Sequence, residues 1–309
     1  MAQQPTLVIL AAGIGSRYGG FKQIEPLGPG GEISLDYAAF DAWRAGFGRL
    51  VLIIRPELEE PLRKHLAGKL DGRMTVAFVH QELSDLPPEY SLPPERTKPW
   101  GTGHALRSVR HLLQEPFAVI NADDFYGPRS YRVLAEFLRG AADSGTAGPS
   151  EFAMVGFPLA KTLSRHGTVS RGICRVDAAG FLAGVDERTR IGLNAGVIRF
   201  QPAGGDWETL PGDAVASMNM WGFTPALFPV LETQFLAFLR AHGRDSKAEF
   251  FIPAAVDALL RAGSCRVRVL TTDEQWFGMT YPQDRAEVQD SIRALTARGV
   301  YPASLWGRG

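Results

Sequence analysis

Cysteine is scarce in this chain. Only Cys174 and Cys265 occur in 309 residues, too few for a disulfide framework and without metal-ligand spacing, so a reducing, cytoplasmic setting is expected. Neither sign of charge is in excess: 33 Lys and Arg balance 33 Asp and Glu, and no global field favours nucleic acid or an anionic membrane. No apolar run approaches the roughly 20 residues of a membrane span. The apolar opening of the chain lacks a basic flank and leads straight into a charged loop, which argues for a first core strand rather than a secretory signal. Six histidines without HxxxH spacing speak against zinc, and no Ser-His-Asp or Cys-His set suggests itself. No hexapeptide or other internal repeat is visible. What remains, 45% hydrophobic and 21% charged, is long enough for one large α/β domain or two smaller ones.

Periodicity fills in that class. Apolar runs short enough for buried strands lie at 7–12, 49–56, 74–81 and 117–124, and helical spacing at 34–47, 57–70, 104–113 and 130–142 falls between or after them. This alternation predicts an α/β fold with a mostly parallel, doubly wound sheet. After about residue 151 two strands around a turn at 178–180, then strands at 192–200 and 215–223, predict an antiparallel addition. Helices at 225–242, 251–263 and 284–299 and a strand at 265–272 complete the reading. No linker is evident, so residues 1–309 are expected to form a single domain, with 1–150 binding one substrate and 151–309 the other. The proline-rich stretch 82–100 reads as a long loop, of the kind that often serves as a lid.

Three motifs sit at predicted strand C-terminal ends, where ligands of such sheets bind. The first is "LVILAAGIGSRYGGFKQ", a strand that turns into glycines, a hydroxyl and two cations. Glycine lets backbone approach a ligand, and Arg17 and Lys22 suit phosphate. The dinucleotide fingerprint fails because Tyr18 takes the place of its third glycine, and a Walker A loop fails because Lys22 is followed by Gln23. The second motif is "NADDFYG". A carboxylate beside a phosphate site implies a divalent cation, since two anions repel, and Mg²⁺ binds one or two carboxylates together with phosphate oxygens. Asp123 is the candidate ligand; a turn or a helix cap is the alternative use of the pair, and Asp124 suits that structural role. The third is "KPWGTGHAL", whose Gly101–Gly103 backbone offers donors for a base edge or phosphate. His104 reads as a hydrogen-bonding or packing residue rather than a general base.

Together these motifs resemble the sugar-nucleotide pyrophosphorylases, nucleotidyltransferases that join a sugar 1-phosphate to a nucleoside triphosphate. "LAAGIGSRYGGFKQ" resembles their signature loop, with Ser16 where many members have Thr and without the Pro that often precedes the lysine. "GTGHAL", with Gln81 ahead of it, resembles the uracil-binding segment of the uridylyltransferases, and "NADDFYG" the metal-binding aspartate segment of the thymidylyltransferases. The resemblance implies Mg²⁺-dependent transfer of a nucleotidyl group from UTP or dTTP to a phosphorylated small-molecule acceptor, with no nucleic-acid or membrane partner; a homo-oligomer is compatible with it. It also implies site residues. Arg17, Lys22 and Asp123 would be catalytic; Leu10, Ala11, Ala12, Gly13, Gly15, Ser16, Gln81, Gly101 and Thr102 would bind nucleotide. Gly172, Glu187, Arg188 and Asn219 would bind the acceptor, Asn219 being preferred to Asn194. A second metal ligand maps to Thr280 or Asp284, of which Asp284 has the better chemistry. A metal-dependent glycosyltransferase, a nucleotidyltransferase with a non-sugar acceptor and a non-catalytic nucleotide-sensing subunit are the alternatives.

Overall fold

The computed structural model describes residues 4–13, 24–143, 149–202, 204–278 and 283–307. Its centre is four parallel strands, β1 (Thr6–Leu10), β2 (Arg49–Ile54), β3 (Thr75–His80) and β4 (Phe117–Asn121), in the order β3-β2-β1-β4. Val8 lies level with Val51 on one side and Val119 on the other. These strands are apolar on both faces, as a sheet covered on both sides requires. The short β5 (Asp124–Phe125) follows β4 directly.

On one face pack α1 (Ser34–Ala45), α2 (Glu59–Leu66) and α4 (Pro128–Asp143), burying Leu35, Leu62 and Leu134 against Leu7, Ile9 and Leu52. Helix α1 begins with the Asp36 carboxylate accepting the Ile33 N–H at 2.8 Å and ends at Gly46, whose φ of 90° lets its N–H cap the last turn. The opposite face is covered by α3 (Thr102–Arg107), α5 (Leu227–His242) and α6 (Ile252–Arg261), which bury Leu106, Leu231 and Val256 against Val8, Val51 and Val119. The helical spacing over 104–113 is cut short at Arg107. From there the chain closes tight turns, Val109 N–H to Leu106 O and Arg110 N–H to Arg107 O.

The second half extends the same sheet. Strands β6 (Ser150–Pro158), β7 (Val169–Val176), β8 (Leu182–Asn194), β9 (Val197–Phe200), β10 (Glu208–Thr209) and β11 (Val215–Phe223) carry the predicted antiparallel addition, and β12 (Cys265–Thr271) runs parallel to β6. Strand β6 had no counterpart in the sequence reading. The pivot is β11. Its end, Trp221–Phe223, pairs antiparallel with β4, while Ala216 and Ser217 pair with β7 on that same side. Between them the register slips, and Asn219 adopts a φ of 60°. Strand β13 (Phe277–Gly278) pairs with β5, and α7 (Asp284–Ala297) closes the described chain before the final segment packs on α1. Among the described residues no helix is long and apolar enough to cross a membrane.

Candidate nucleotide site

Strands β1 and β4 end side by side. Leu10 is level with Asn121, the Ala122 N–H donates to Leu10 O at 3.1 Å, and the Ala11 N–H donates to Ile53 O at 2.8 Å. The glycine loop therefore leaves the sheet, through Ala12 and the exposed Gly13, beside the turn that carries Asp123. Gly15, Ser16, Arg17 and Lys22 lie outside the described residues, as does Thr280.

The two adjacent aspartates have different surroundings. Asp123 is half-buried in the turn between β4 and β5. Asp124 is buried: its Oδ2 accepts from Asn121 Nδ2 at 2.9 Å and lies 3.1 Å from the Tyr126 hydroxyl, and its carbonyl accepts from Ser34 Oγ at 3.2 Å. The Asn121 bond begins a polar chain with only one possible direction. The Trp221 indole N–H can only donate, and it meets Asn219 Oδ1 at 2.8 Å, so Nδ2 of Asn219 is the group that donates to Asn121 Oδ1 at 2.7 Å. Asn121 Nδ2 then faces the Asp124 carboxylate. A donor-only end and an acceptor-only end fix both amides in between.

Strand alternation carries this row onward. Ser217 is opposite Gly172, and Gly172 is opposite Glu187, on the face already holding Leu10, Asn121 and Asn219. Along β11, Val215, Ser217 and Asn219 are half-buried while Ala216, Met218 and Met220 on the other face are buried, so the helix layer stops short of this strip and leaves a floor open. At Gly172 a Cβ would come within 2.7 Å of Val185 Cγ1 and 3.7 Å of both Glu187 Oε2 and Ser217 Cβ, so glycine keeps the row low. Burial raises the Glu187 carboxyl above its ordinary range, while nearby Arg171 opposes the shift.

Arg188 is placed elsewhere. Paired with Arg171, it points through the opposite face, its guanidinium 4.9 Å from the Phe200 ring centre. One residue after Glu187 on a regular strand, it faces away from it, which corrects the grouping of the two. Asp284 is likewise separate from the row. It is buried at the start of α7, its Oδ1 accepts from Ser164 Oγ at 3.0 Å, and it lines a cleft of about 350 Å³ with Arg171, Trp276 and Gly278. Asn194 is an exposed residue at the β8–β9 hairpin, where Ala195 and Gly196 both have positive φ.

At the other end of the row, Gln81 extends β3, its N–H donating to Ile54 O at 3.0 Å and its Nε2 to Gly101 O at 3.1 Å. The glycines of "GTG" have a packing reason. A Cβ on Gly101, at φ 101°, would fall 2.5 Å from Phe250 O, and the Gly103 N–H donates to that same oxygen at 2.8 Å. The Thr102 hydroxyl accepts the Ile252 N–H at 3.1 Å at the start of α6. Much of what the motif offers is thus spent on holding α6. The loop over 82–100 is pinned by Arg96, whose guanidinium donates to Asp245 O, Pro99 O and Ala248 O at 2.9, 3.1 and 2.7 Å and stacks 3.3 Å from the Trp100 ring centre.

Sequence reasoning passed over Asn121, Trp221, Tyr126, Arg96 and Arg171. Asn121 alone had a signal, a polar residue at the end of an apolar strand with the parity of Val119. Among the described residues no group of three His, Cys, Asp or Glu is arranged to hold a metal. A half-buried carboxylate at Asp123 fits Mg²⁺, which takes one or two carboxylates and completes its shell with water and phosphate.

The architecture is a mixed sheet, parallel at its centre and antiparallel in its second half, with helices on both faces. No protein-family model matches the chain, and no curated protein matches it in sequence. Solved structures do match over nearly its whole length. A Bacillus anthracis protein described as a glucose-1-phosphate thymidylyltransferase superposes with a TM-score of 0.61 at 12% identity, covering 93% of this chain and 95% of its own. A UDP-glucose pyrophosphorylase solved with UDP-glucose gives 0.57 at 15%, covering 94% and 99%. The inositol-1-phosphate CTP transferase of T. maritima gives 0.60 at 12%, covering 94% and 96%. At such identities the likeness is one of fold.

Proposed function

We propose that this chain is an Mg²⁺-dependent nucleotidyltransferase that transfers a nucleoside monophosphate from UTP or dTTP to a sugar 1-phosphate and releases pyrophosphate. The observation that carries the reading is the adjacency of β1 and β4: the glycine loop and the Asp123 turn leave neighbouring strands side by side, above a row of polar side chains. Residues 1–150 serve as the nucleotide-binding lobe and 151–309 as the acceptor-binding lobe.

The acceptor phosphate attacks the α-phosphorus in line with departing pyrophosphate. A phosphate monoester has a second pKa of about 6, so the nucleophile is already largely ionised at neutral pH and needs no base. That suits a site without a histidine or cysteine apparatus. Lys22 meets the α-phosphate and the acceptor, Arg17 meets the pyrophosphate, and the backbone of the glycine loop wraps the triphosphate. Asp123 would hold the Mg²⁺, which when bound would neutralise charge on the phosphates. Gly172 and Glu187 line the acceptor side, with Asn219 presenting an amide whose orientation Trp221 determines. The work is positioning and charge neutralisation.

The test is pyrophosphate release from each of the four nucleoside triphosphates with Mg²⁺, against a panel of phosphorylated acceptors. Release with a sugar 1-phosphate, lost in Asp123→Asn and in Lys22→Ala with the fold intact, is the expected outcome. Near-wild-type turnover in either variant refutes the scheme. Activity confined to a polyol or amino-alcohol phosphate favours the non-sugar alternative, which the inositol-phosphate enzyme among the similar folds keeps in view.

A further inference from the structure

We infer that His104 is a positioning residue that fixes which end of the Gln81 amide faces the nucleotide base, and that it thereby selects bases carrying a proton on the ring nitrogen of the recognised edge. This rests on the nucleotide-binding reading above, and it adds a residue and a rule of discrimination to it.

Nε2 of His104 lies 3.0 Å from Asp85 O. A backbone carbonyl can only accept, so Nε2 carries the hydrogen. His104 is fully buried against Phe235, its ring centre 5.1 Å from the phenyl, and burial lowers its pKa to about 4. A neutral imidazole protonated on Nε2 has a bare Nδ1, which can only accept. Nδ1 lies 3.1 Å from Gln81 Nε2. The amide nitrogen therefore faces inward, and its two N–H groups are both consumed, one by His104 Nδ1 and one by Gly101 O at 3.1 Å. The reverse orientation would set the amide oxygen against two acceptors at once. What Gln81 retains is its carbonyl Oε1, which has no hydrogen-bond partner among the described residues.

The support behind His104 is heavily built. Arg107 donates to the same Asp85 carbonyl at 2.8 Å and pairs with the Asp85 carboxylate at 2.8 Å. Arg110 holds that carboxylate with both terminal nitrogens, at 2.9 and 3.1 Å, and Glu232 closes the cluster on Arg107 and Arg110. Asp85 is thus held in place, its carbonyl sets the His104 tautomer, and the tautomer sets the amide.

A fixed acceptor distinguishes two classes of base. Uracil, thymine and guanine carry a hydrogen on the ring nitrogen of the Watson–Crick edge, whereas cytosine and adenine present a lone pair there. Oε1 pairs with the first class and repels the second at that atom.

The probe is equilibrium binding of UTP, GTP, CTP and ATP, each with Mg²⁺ and no acceptor, to the full chain. Wild type is expected to bind UTP or GTP about tenfold to a hundredfold more tightly than CTP and ATP, the loss that accompanies a polar group left facing a like partner. His104→Leu removes one of the two acceptors that orient the amide, leaving Gly101 O, and should lower that ratio about threefold or more, a change that looser packing alone would not produce. His104→Asn, whose side-chain oxygen can take the place of Nδ1, should restore most of it. Equal or tighter binding of CTP or ATP by wild type overturns the inference, as does an unchanged ratio in His104→Leu or no binding of any of the four. If the ratio behaves as expected while no acceptor yields pyrophosphate, the proposed transfer fails and this inference stands.

Discussion

Replacing Asp41 by Asn should stabilise the protein in alkali and leave it nearly unchanged in mild acid. Asp41 lies in α1, fully buried; its Oδ2 accepts from the Tyr301 hydroxyl at 2.7 Å, and its Oδ1 has no hydrogen-bond partner among the described residues. Burial, with Glu274 adding to it, pushes the carboxyl up to about 8 from an ordinary 3.8, against smaller opposing effects of Tyr301 and Arg44. The folded chain thus holds this proton more tightly than the unfolded one. Stability from the group is complete below about pH 4 and is lost as pH rises through about 8. Each tenfold change in acid strength is worth about 1.36 kcal/mol, so the interval from 3.8 to about 8 caps the loss at about 6 kcal/mol. Water reaching Oδ1 on ionisation reduces this, and we expect about 2–4 kcal/mol. The uncharged amide keeps the Tyr301 bond and has no such loss. Thermal unfolding read at about pH 4 and pH 9 should show Asp41→Asn melting close to wild type in the first buffer and about 5–10 °C above it in the second. An equal difference at both pH values would refute the assignment of a neutral acid at this position.

Other perturbations read the site itself. Asn219→Asp keeps the acceptor for Trp221 but opposes Asn121 Oδ1 with a second oxygen, reversing the amide chain that ends on Asp124. It should cost about 1–3 kcal/mol of stability and most of the pyrophosphate release, measured on the same preparation. Gly172→Ala places a methyl 2.7 Å from Val185 Cγ1, between Glu187 and Ser217. A rise in acceptor KM of about tenfold or more is expected with nucleotide binding preserved, because the crowding is confined to the acceptor end of the row. Gly101→Ala must move either the Phe250 backbone or its own left-handed turn, and a loss of about 2 kcal/mol or more in denaturant unfolding is the expected result. Arg96→Met removes the donors that tie the 82–100 loop to the carbonyls of Asp245 and Ala248, and limited proteolysis should then cut within that loop first.

Much of the architecture was legible because strand and helix periods are local. Leu7 to Leu10, Leu50 to Ile54 and Phe117 to Ile120 are apolar without alternation, which identifies a sheet buried on both sides before any partner is known. Strand β6 was missed although "EFAMVGFP" follows the turn-rich "SGTAGPS", because its apolar residues keep no strict period. The ending of α3 at Arg107 was missed because the apolar spacing continues to Leu113. Arg188 next to Glu187 looked like one group, and only the pairing of β7 with β8 reveals that adjacent positions face opposite ways.

By itself the sequence determined the mostly parallel sheet with its antiparallel addition, the glycine loop after the first strand and the carboxylate pair after the fourth, since each is written in residues a few positions apart. The tertiary structure alone decided which polar groups meet. Asn219 reaches Asn121 across 98 positions of chain because β11, paired with β4 at Trp221–Phe223, slips register against β6 between Ser217 and Trp221. His104 turns the Gln81 amide because a loop carbonyl determines its tautomer. Hydrogen-bond direction depends on what lies opposite each donor, and that is a property of the packed chain rather than of any short stretch of it.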